Sequence, residues 1–516
     1  MKVAILHSHY ESGGVTAVVQ NHVACLADGD AITDILLLSG KRQSALTSAT
    51  RSQTAVASID GLDYDSLVAT DAPVQTRADE LARRIRQVLD DHGFTPNESV
   101  LHWHNHSLGK NAATPLVVRR LSESGWRLLL QVHDFAEDQR PENYGYLREQ
   151  YAASDSGTLD GVLYPTGMGV AYATLTRGDR DALTTWGLNE GSVHVIPNSV
   201  SLPVDEMPSF QTAHARVRAA FALPQDAKWV LYPVRGIRRK NVGEFVLLSQ
   251  LLPEPFYGAL TLRPDTPLEA ANYERWRAVA NAARVRLVFD AAHHPDIQFA
   301  DNLSACHCVV STSVAEGFGM SFLEPWLASR PVVGRAIPMV VGDFDAEGLR
   351  WTQRYQQVAI PGTRTWLNEV RREYRASKQR AYASLAPSFR PGLTADEDAS
   401  STDHLDRIDF ADLLPKRQVE VIERAARDAA YAQDLATLNQ PILDWIQEGP
   451  GDDTIQMNLA TVRTRFHLDV QRDRLLSAYQ CLRNGTRSTR PSDGGRMVDI
   501  IDRSHPFHPC RVETDL

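Results

Sequence analysis

Two glutamates, Glu316 and Glu324, stand on either side of Gly317-Phe318-Gly319-Met320-Ser321, and their spacing is the strongest invitation to chemistry in this chain. The residues before them, Cys308-Val309-Val310-Ser311-Thr312, are apolar and β-branched and read as a buried strand. Gly317 and Gly319 permit a tight turn, after which 320–328 reads as a helix stopped by Ser329-Arg330-Pro331. A strand, a glycine loop and a helix start together form an anion site, because the first helical turn carries unpaired N–H groups and a partial positive charge. On such a helix Glu324 lies about 7 Å along the axis from Gly319, at 1.5 Å per residue. It would reach past a bound diphosphate toward a sugar hydroxyl, with Glu316 on the loop in front.

Elements able to hold such a site are legible along the chain. At 516 residues, two to four domains of roughly 150 residues are expected. In the first half, apolar runs at 2–7, 35–38, 100–103 and 128–132 alternate with helical patterns ending near 26 and at 78–89 and 115–121. In the second half, 229–234, 259–262 and 285–289 alternate with helical runs at 268–283 and 299–305. Such alternation predicts doubly wound parallel sheets, whose ligands bind beyond the carboxyl ends of the strands. From about Trp351 onward the patterns at 366–376, 415–435 and 462–482 are helical, interrupted by a polar loop at 394–403. Residues 202–211, with two prolines, read as a hinge. Division into 1–205, 206–350 and a mainly helical 351–516 follows, with the last segment expected to pack back on the first domain.

Bulk properties narrow the function. A net charge of -10 argues against nucleic acid as a partner and disfavours a membrane surface. No apolar run approaches the roughly 20 residues needed to span a bilayer, and 1–6 lead into His7 and His9 and not into a signal-peptide core, so a cytoplasmic location is expected. Five cysteines, an odd number in mostly apolar settings, suit reduced thiols. Cys306-His307-Cys308 has the look of a zinc ligand set, but on a strand His307 faces away from both cysteines, and a buried strand is the better reading.

Several strand ends carry unusual residues: Leu101-His102-Trp103-His104-Asn105-His106, Leu130-Gln131-Val132-His133-Asp134-Phe135, and Arg235-Gly236-Ile237-Arg238-Arg239-Lys240-Asn241. With Ser12-Gly13-Gly14, His194-Val195-Ile196-Pro197-Asn198-Ser199-Val200 and the glutamate run, they make a set that resembles the retaining GT-B glycosyltransferases of the glycogen-synthase-like family 4 group. The resemblance implies two Rossmann-like domains with parallel sheets, closing on a nucleotide-diphosphate sugar in a cleft between them. It implies that Gly13 and Gly14 lie against the donor, that Arg235 and Lys240 clamp the diphosphate with 317–321, that Glu324 holds the ribose, and that Glu316 and His133 contact the hexose. His104, His106, Asp134 and Arg140 become acceptor-side groups, and no metal and no bound cofactor are expected.

The match is incomplete. Ser199, Val234 and Asn241 stand where the group has glycine, and after Gly334 the usual small residues give way to Arg335-Ala336-Ile337-Pro338. The expected activity is retaining transfer of a glucose-like hexose from a UDP-sugar, with GDP- and ADP-sugars as alternatives, to a small polar or saccharide acceptor. A sugar-nucleotide epimerase, a phosphorylase and a non-catalytic nucleotide-sugar scaffold are the competing readings. The oligomeric state stays open.

Overall fold

The computed structural model describes residues 1–67, 72–151, 156–202, 207–391, 406–490 and 495–513. Two compact units emerge: Met1–Ser199 with Ala383–Gly392 and Phe466–Pro506, and Val200–Tyr382 with Leu393–Arg465 and Phe507–Leu516. The boundary expected at 205/206 and the polar loop at 394–403 lie outside the described residues.

Among the described residues the first unit is built on seven strands: β1 (Lys2–Leu6), β2 (Asp34–Ser39), β3 (Ala55–Ser58), β4 (Ser99–His104), β5 (Arg127–Val132), β6 (Val170–Thr174) and β7 (Val193–Val195). Their order is β3-β2-β1-β4-β5-β6-β7, and every pairing is parallel. Helices must then cover both faces, which is why the strand sequences are almost continuously apolar and not alternating. On one face, Val19 and Val23 of helix Gly14–Ala27 and Leu475, Ala478 and Leu482 of helix Leu468–Arg483 pack on Val3, Ile5, Val100 and Leu129.

The second unit repeats the plan with β8 (Lys228–Arg235), β9 (Phe256–Leu262), β10 (Leu287–Val288), β11 (Cys306–Ser311), β12 (Val332–Arg335) and β13 (Arg354–Tyr355), ordered β10-β9-β8-β11-β12-β13 and again parallel. In each sheet the first strand lies between the second and the fourth, the order of a doubly wound fold. The expected α/β architecture with two Rossmann-like sheets is what the chain adopts. Cys306 and Cys308 are buried in β11, and a His307 ring nitrogen donates to the Gln447 carbonyl at 2.9 Å, so this tripeptide is a strand.

The helices after Trp351 are divided between the units. Ile422, Leu435, Ile442, Leu443 and Ile446 share one core with Val230, Phe245, Leu260, Val310 and Val333 of the second sheet region. Two of the helical runs are shorter than expected. The run at 415–435 breaks at Asp428, which leaves helical geometry and accepts the Tyr431 N–H at 3.1 Å as an N-cap, giving Pro415–Arg427 and Ala429–Leu438. The run at 462–482 breaks at His467, whose ring accepts the Asp469 N–H, giving Asp452–Arg465 and Leu468–Arg483.

Arg335 explains the sequence departure after Gly334. Its side chain is 4 % exposed and binds Glu244, which is fully buried, through Nε at 3.1 Å. The same guanidinium binds both oxygens of Asp409 at 2.6 and 2.9 Å and the Gln356 carbonyl at 2.8 Å. Asp409 ends the short strand Arg407–Asp409, which pairs antiparallel with Ala359–Pro361. Buried charge is tolerated only when paired, and removing one partner strands the others. Replacing Arg335 by Met should therefore lower stability by about 3–5 kcal/mol, read as a lowered urea midpoint at unchanged m-value; a loss within 1 kcal/mol, on the order of an exposed pair, would show that the triad is dispensable.

Candidate active site

In the second unit the candidate residues leave the sheet at the carboxyl ends of β8 and β11, the neighbouring central strands. After β8, a single 3-10 turn (Arg238–Lys240) ends at Asn241, whose φ of 47° is left-handed. Asparagine tolerates that region better than other non-glycine residues, so it fills the place where glycine was expected. The Lys240 carbonyl accepts from Thr312 Oγ1 at 2.9 Å and from Tyr232 OH at 3.0 Å, and Val314 N–H donates to the Arg239 carbonyl at 3.0 Å. The two loops are thus tied together backbone to backbone.

That tie brings Lys240 Nζ onto Glu316 Oε1 and Arg239 Nη1 to 3.6 Å from Glu316 Oε2. The Lys240 and Glu316 side chains are 10 % and 6 % exposed. Burial pulls the Lys240 ammonium down to about 8, with Arg239 adding to the fall and Glu316 opposing it. Burial pushes the Glu316 carboxyl upward, but Lys240, Arg239 and a hydrogen bond from Ser313 outweigh it and hold the group below the ordinary carboxylate value. At neutral pH two cations face one carboxylate, which leaves a surplus positive charge at the strand ends.

Arg239, which sequence reasoning passed over, shares Glu316 with Lys240. Arg235, assigned to the same clamp, is instead paired with Asp265 at 2.9 Å and does not touch Glu316. The types and number of cations were legible in the sequence; which of three arginines turns inward was not. Asp290, at the end of the third strand region, is held by Arg277 and by Tyr273 OH at 2.8 Å.

The helix expected over 320–328 is not continuous. A 3-10 turn, Met320–Phe322, is followed by a four-residue α-helix, Glu324–Leu327. Pro325 is the cause: it has no N–H to donate back, and its ring disfavours helical geometry at Glu324 in a longer run. Glu324 therefore opens the short helix and is not one and a half turns inside a long one. The anion-binding capacity of this stretch reduces to the N–H groups of a tight turn, without the dipole of a full helix. Gly319 starts the turn at φ 85°, and a Cβ there would lie 2.6 Å from the Phe322 ring, so glycine is required twice over. Glu324 makes no hydrogen bond or ion pair among the described residues, and burial lifts its carboxyl to about 7.

In the first unit, His102 and His104 alternate on β4 and point to the same face, toward helix Gly14–Ala27. There they meet His22, and His133 follows β5 beside them. His104 Nδ1 and His133 Nε2 are 2.8 Å apart. His104 and His106 are each 1 % exposed, and a His106 ring nitrogen donates to the Leu163 carbonyl at 2.9 Å. The expectation that these two present polar groups to an acceptor is corrected: strand alternation and the His106 hydrogen bond turn both rings into the interior. Burial lowers His106 to about 4 and His133 to about 4. Asp134 and Arg140 are partly exposed and joined at 2.6 Å. Gly13 and Gly14 open helix Gly14–Ala27 with no steric demand for glycine at either position.

The ring nitrogens of His22, His102 and His104 lie within 4.8 Å of one another, a spacing that invites a metal reading. Both nitrogens of His102 are already engaged at 2.8 Å, by Tyr479 OH and Gln131 Oε1, so a cation would have to break one of these bonds to gain a third ligand. The trio fits an imidazole-binding metal poorly.

A carboxyl lifted by burial binds its proton more tightly in the folded than in the unfolded chain, so stability falls as pH rises from about 4.5 to about 7. Glu324→Gln removes that term. The variant should match the parent in urea midpoint near pH 4.5 and exceed it at pH 8; equal midpoints at both pH values would show that Glu324 is solvated.

No family model matches the chain. A curated relative, mannosylglucosyl-3-phosphoglycerate synthase of Petrotoga mobilis, is 25% identical over 456 residues, covering 86% of this chain and 84% of the relative. Among solved structures, a glycosyltransferase of Rickettsia africae is 11% identical, with 93% of this chain and 98% of that chain covered and a TM-score of 0.50. Sucrose-phosphate synthase of Thermosynechococcus elongatus is 15% identical over 86% of this chain and 99% of that chain, with a TM-score of 0.47. The Rickettsia structure bears on the fold alone. The two doubly wound sheets and the similarity to a curated glycosyl-transferring synthase support a GT-B glycosyltransferase.

Proposed function

We propose that this protein is a retaining hexosyltransferase that moves a glucose-like hexose from a nucleotide-diphosphate sugar to a hydroxyl of a small polar or saccharide acceptor. The observation that carries the reading is the surplus positive charge of Lys240 and Arg239 over Glu316 at the ends of β8 and β11. A diphosphate entering there gains two cations that are already in place and partly desolvated, which costs little reorganisation. Arg235 is the third cation, released from its exposed partner Asp265.

Lys240 and Arg239, joined by Arg235, hold the diphosphate together with the N–H groups of 319–321, and Gly317 and Phe318 shape that turn. Glu324 holds the ribose. As the cations shift to phosphate, Glu316 is freed to accept from hexose hydroxyls, and His133 is assigned to the hexose by the family resemblance, as are Gly13 and Gly14 to the donor. Asp134 and Arg140 are the acceptor-side groups that remain. The acceptor oxygen attacks the anomeric carbon on the face from which the nucleotide leaves. The bond from that carbon to the phosphate oxygen breaks, the new glycosidic bond forms, and the acceptor proton passes to the departing phosphate. Charge on the leaving diphosphate is met by side chains, so the reaction is assigned no metal. A UDP-sugar is favoured, with GDP- and ADP-sugars as the alternatives. The curated relative's name joins a saccharide to phosphoglycerate, which supports a small polar acceptor.

Thermal unfolding against a panel of sugar nucleotides tests the donor site. A ligand at 100 times its Kd adds about 2.7 kcal/mol; one sugar nucleotide should raise the midpoint, and Glu324→Ala should lose the response. Binding without nucleotide release on adding any saccharide or polyol acceptor would favour a non-catalytic scaffold. Response to none would remove the assignment.

The pH dependence is a separate check. Lys240 titrates near 8 in the free protein, so the cation facing the diphosphate is lost above that value. Donor affinity should fall between pH 7 and 9.5, and Lys240→Arg should flatten the fall. A profile already flat in the parent protein would place phosphate binding elsewhere.

A further inference from the structure

We infer that His104 is a positioning residue that locks His133 in the tautomer with its proton on Nδ1, so that His133 meets the transferred sugar as a hydrogen-bond donor and not as a base. The sugar contact rests on the function proposed above; the tautomer rests on the first unit alone.

The hydrogen bond between His104 Nδ1 and His133 Nε2 contains one proton, which belongs to either ring. Burial holds both imidazoles well below the ordinary histidine value, so both are neutral and each has a single N–H. Suppose first that His133 donates. His104 then accepts through Nδ1 and must carry its own proton on Nε2. That nitrogen is buried and has no partner among the described residues. A buried N–H with no acceptor is rarer in native proteins than an acceptor left unfilled. Suppose instead that His104 donates from Nδ1. Its Nε2 is then a bare lone pair, and His133 accepts through Nε2 and keeps its proton on Nδ1.

The surroundings of His104 decide between the two. His22 lies beside it with ring centroids 5.4 Å apart, and both His22 nitrogens are buried without partners among the described residues. Being neutral, His22 must carry one N–H. If His104 Nε2 were also protonated, its unanswered donor would be added to that of His22 in one buried layer. With His104 Nε2 bare, that second unanswered donor is absent. The favourable arrangement therefore runs from His104 to His133 and outward from His133 Nδ1.

The backbone completes the lock. Asn105, in a left-handed conformation with φ 55°, accepts the main-chain N–H of His133 at 2.8 Å and that of Asp134 at 3.3 Å through its side-chain oxygen, which fixes where the His133 ring sits. His133 is 7 % exposed, and Nδ1 is the ring nitrogen without a partner.

Long-range proton–nitrogen correlation on protein labelled at its histidines with nitrogen-15, assigned by single substitutions, reads the tautomer directly. The expected pattern for His133 is a protonated Nδ1 and a bare Nε2; the reverse overturns the proposal. Kinetics then separate positioning from packing. His104→Leu should lower kcat by roughly tenfold, as loss of a supporting hydrogen bond does, with the donor-induced thermal shift unchanged. His104→Asn, whose amide N–H falls near the lost Nδ1–H, should recover most of the rate. Equal losses in the two variants would mean that His104 only fills space. If the parent binds no sugar nucleotide, the assigned function fails and the sugar leaves the inference, while the nitrogen pattern still decides the tautomer.

Discussion

Each sheet places its first strand between the second and the fourth, and the rest of the molecule's chemistry follows from that order. Right-handed crossovers from the two central strands leave for opposite faces, so the loops at their carboxyl ends diverge. Backbone N–H groups and side chains there lack the cover that a neighbouring crossover would supply. Lys240, Glu316 and the glycine turn stand at the ends of β8 and β11, and His7, His104 and His133 stand at the ends of β1, β4 and β5. Neither set required a special fold; both occupy the one opening that a doubly wound sheet leaves.

Charge stoichiometry separates binding from structure in the second unit. Around Arg335, one guanidinium meets two carboxylates, Glu244 and Asp409, and Tyr355 OH adds a hydrogen bond to Glu244 at 2.8 Å. No ligand anion could improve that arrangement. Around Glu316 the ratio is inverted, with one carboxylate against Lys240 and Arg239. Both clusters are buried, and both would appear in any search for unusual ionisable groups. Only the second has positive charge left over for an anion, and in a poorly solvated setting a surplus charge attracts its partner far more strongly than it would in water.

Much of this was legible in the sequence. Continuous β-branched runs announced the parallel strands, and the two glutamates around a glycine turn announced the loop after β11. Other features were written in the chain but outweighed in reading it. Pro325 directly follows Glu324 and argues against a helix running through both. His102 and His104 are two apart on a strand, so they share a face, and one flanked by buried Val100 is interior. Which face a side chain of the Arg235–Lys240 loop takes is beyond sequence reasoning, because a left-handed residue at 241 reorients everything before it. Amphipathic patterns after 351 showed that those helices bury a face; periodicity does not tell against what.

The departures from the family pattern and the large helical region turn out to be connected. Ser199, in place of glycine, donates to Gln471 Oε1 at 2.7 Å, and Gln471 Nε2 in turn donates to the Pro197 carbonyl at 3.2 Å. Asn241, also in place of glycine, lies 3.4 Å from Gln418 Nε2, and Gln418 is fully buried. Arg335, in place of a small residue, binds Asp409. Gln471, Gln418 and Asp409 all come from the chain beyond 351. Without that region the serine hydroxyl would lose its partner, the asparagine side-chain oxygen its donor and the guanidinium one of its two carboxylates, at a cost of about 1–3 kcal/mol for each buried group left unsatisfied. The helical region is accordingly part of both cores and not an appendage, and Ser199, Asn241 and Arg335, three of the substitutions that weaken the sequence resemblance, are points at which it is fastened.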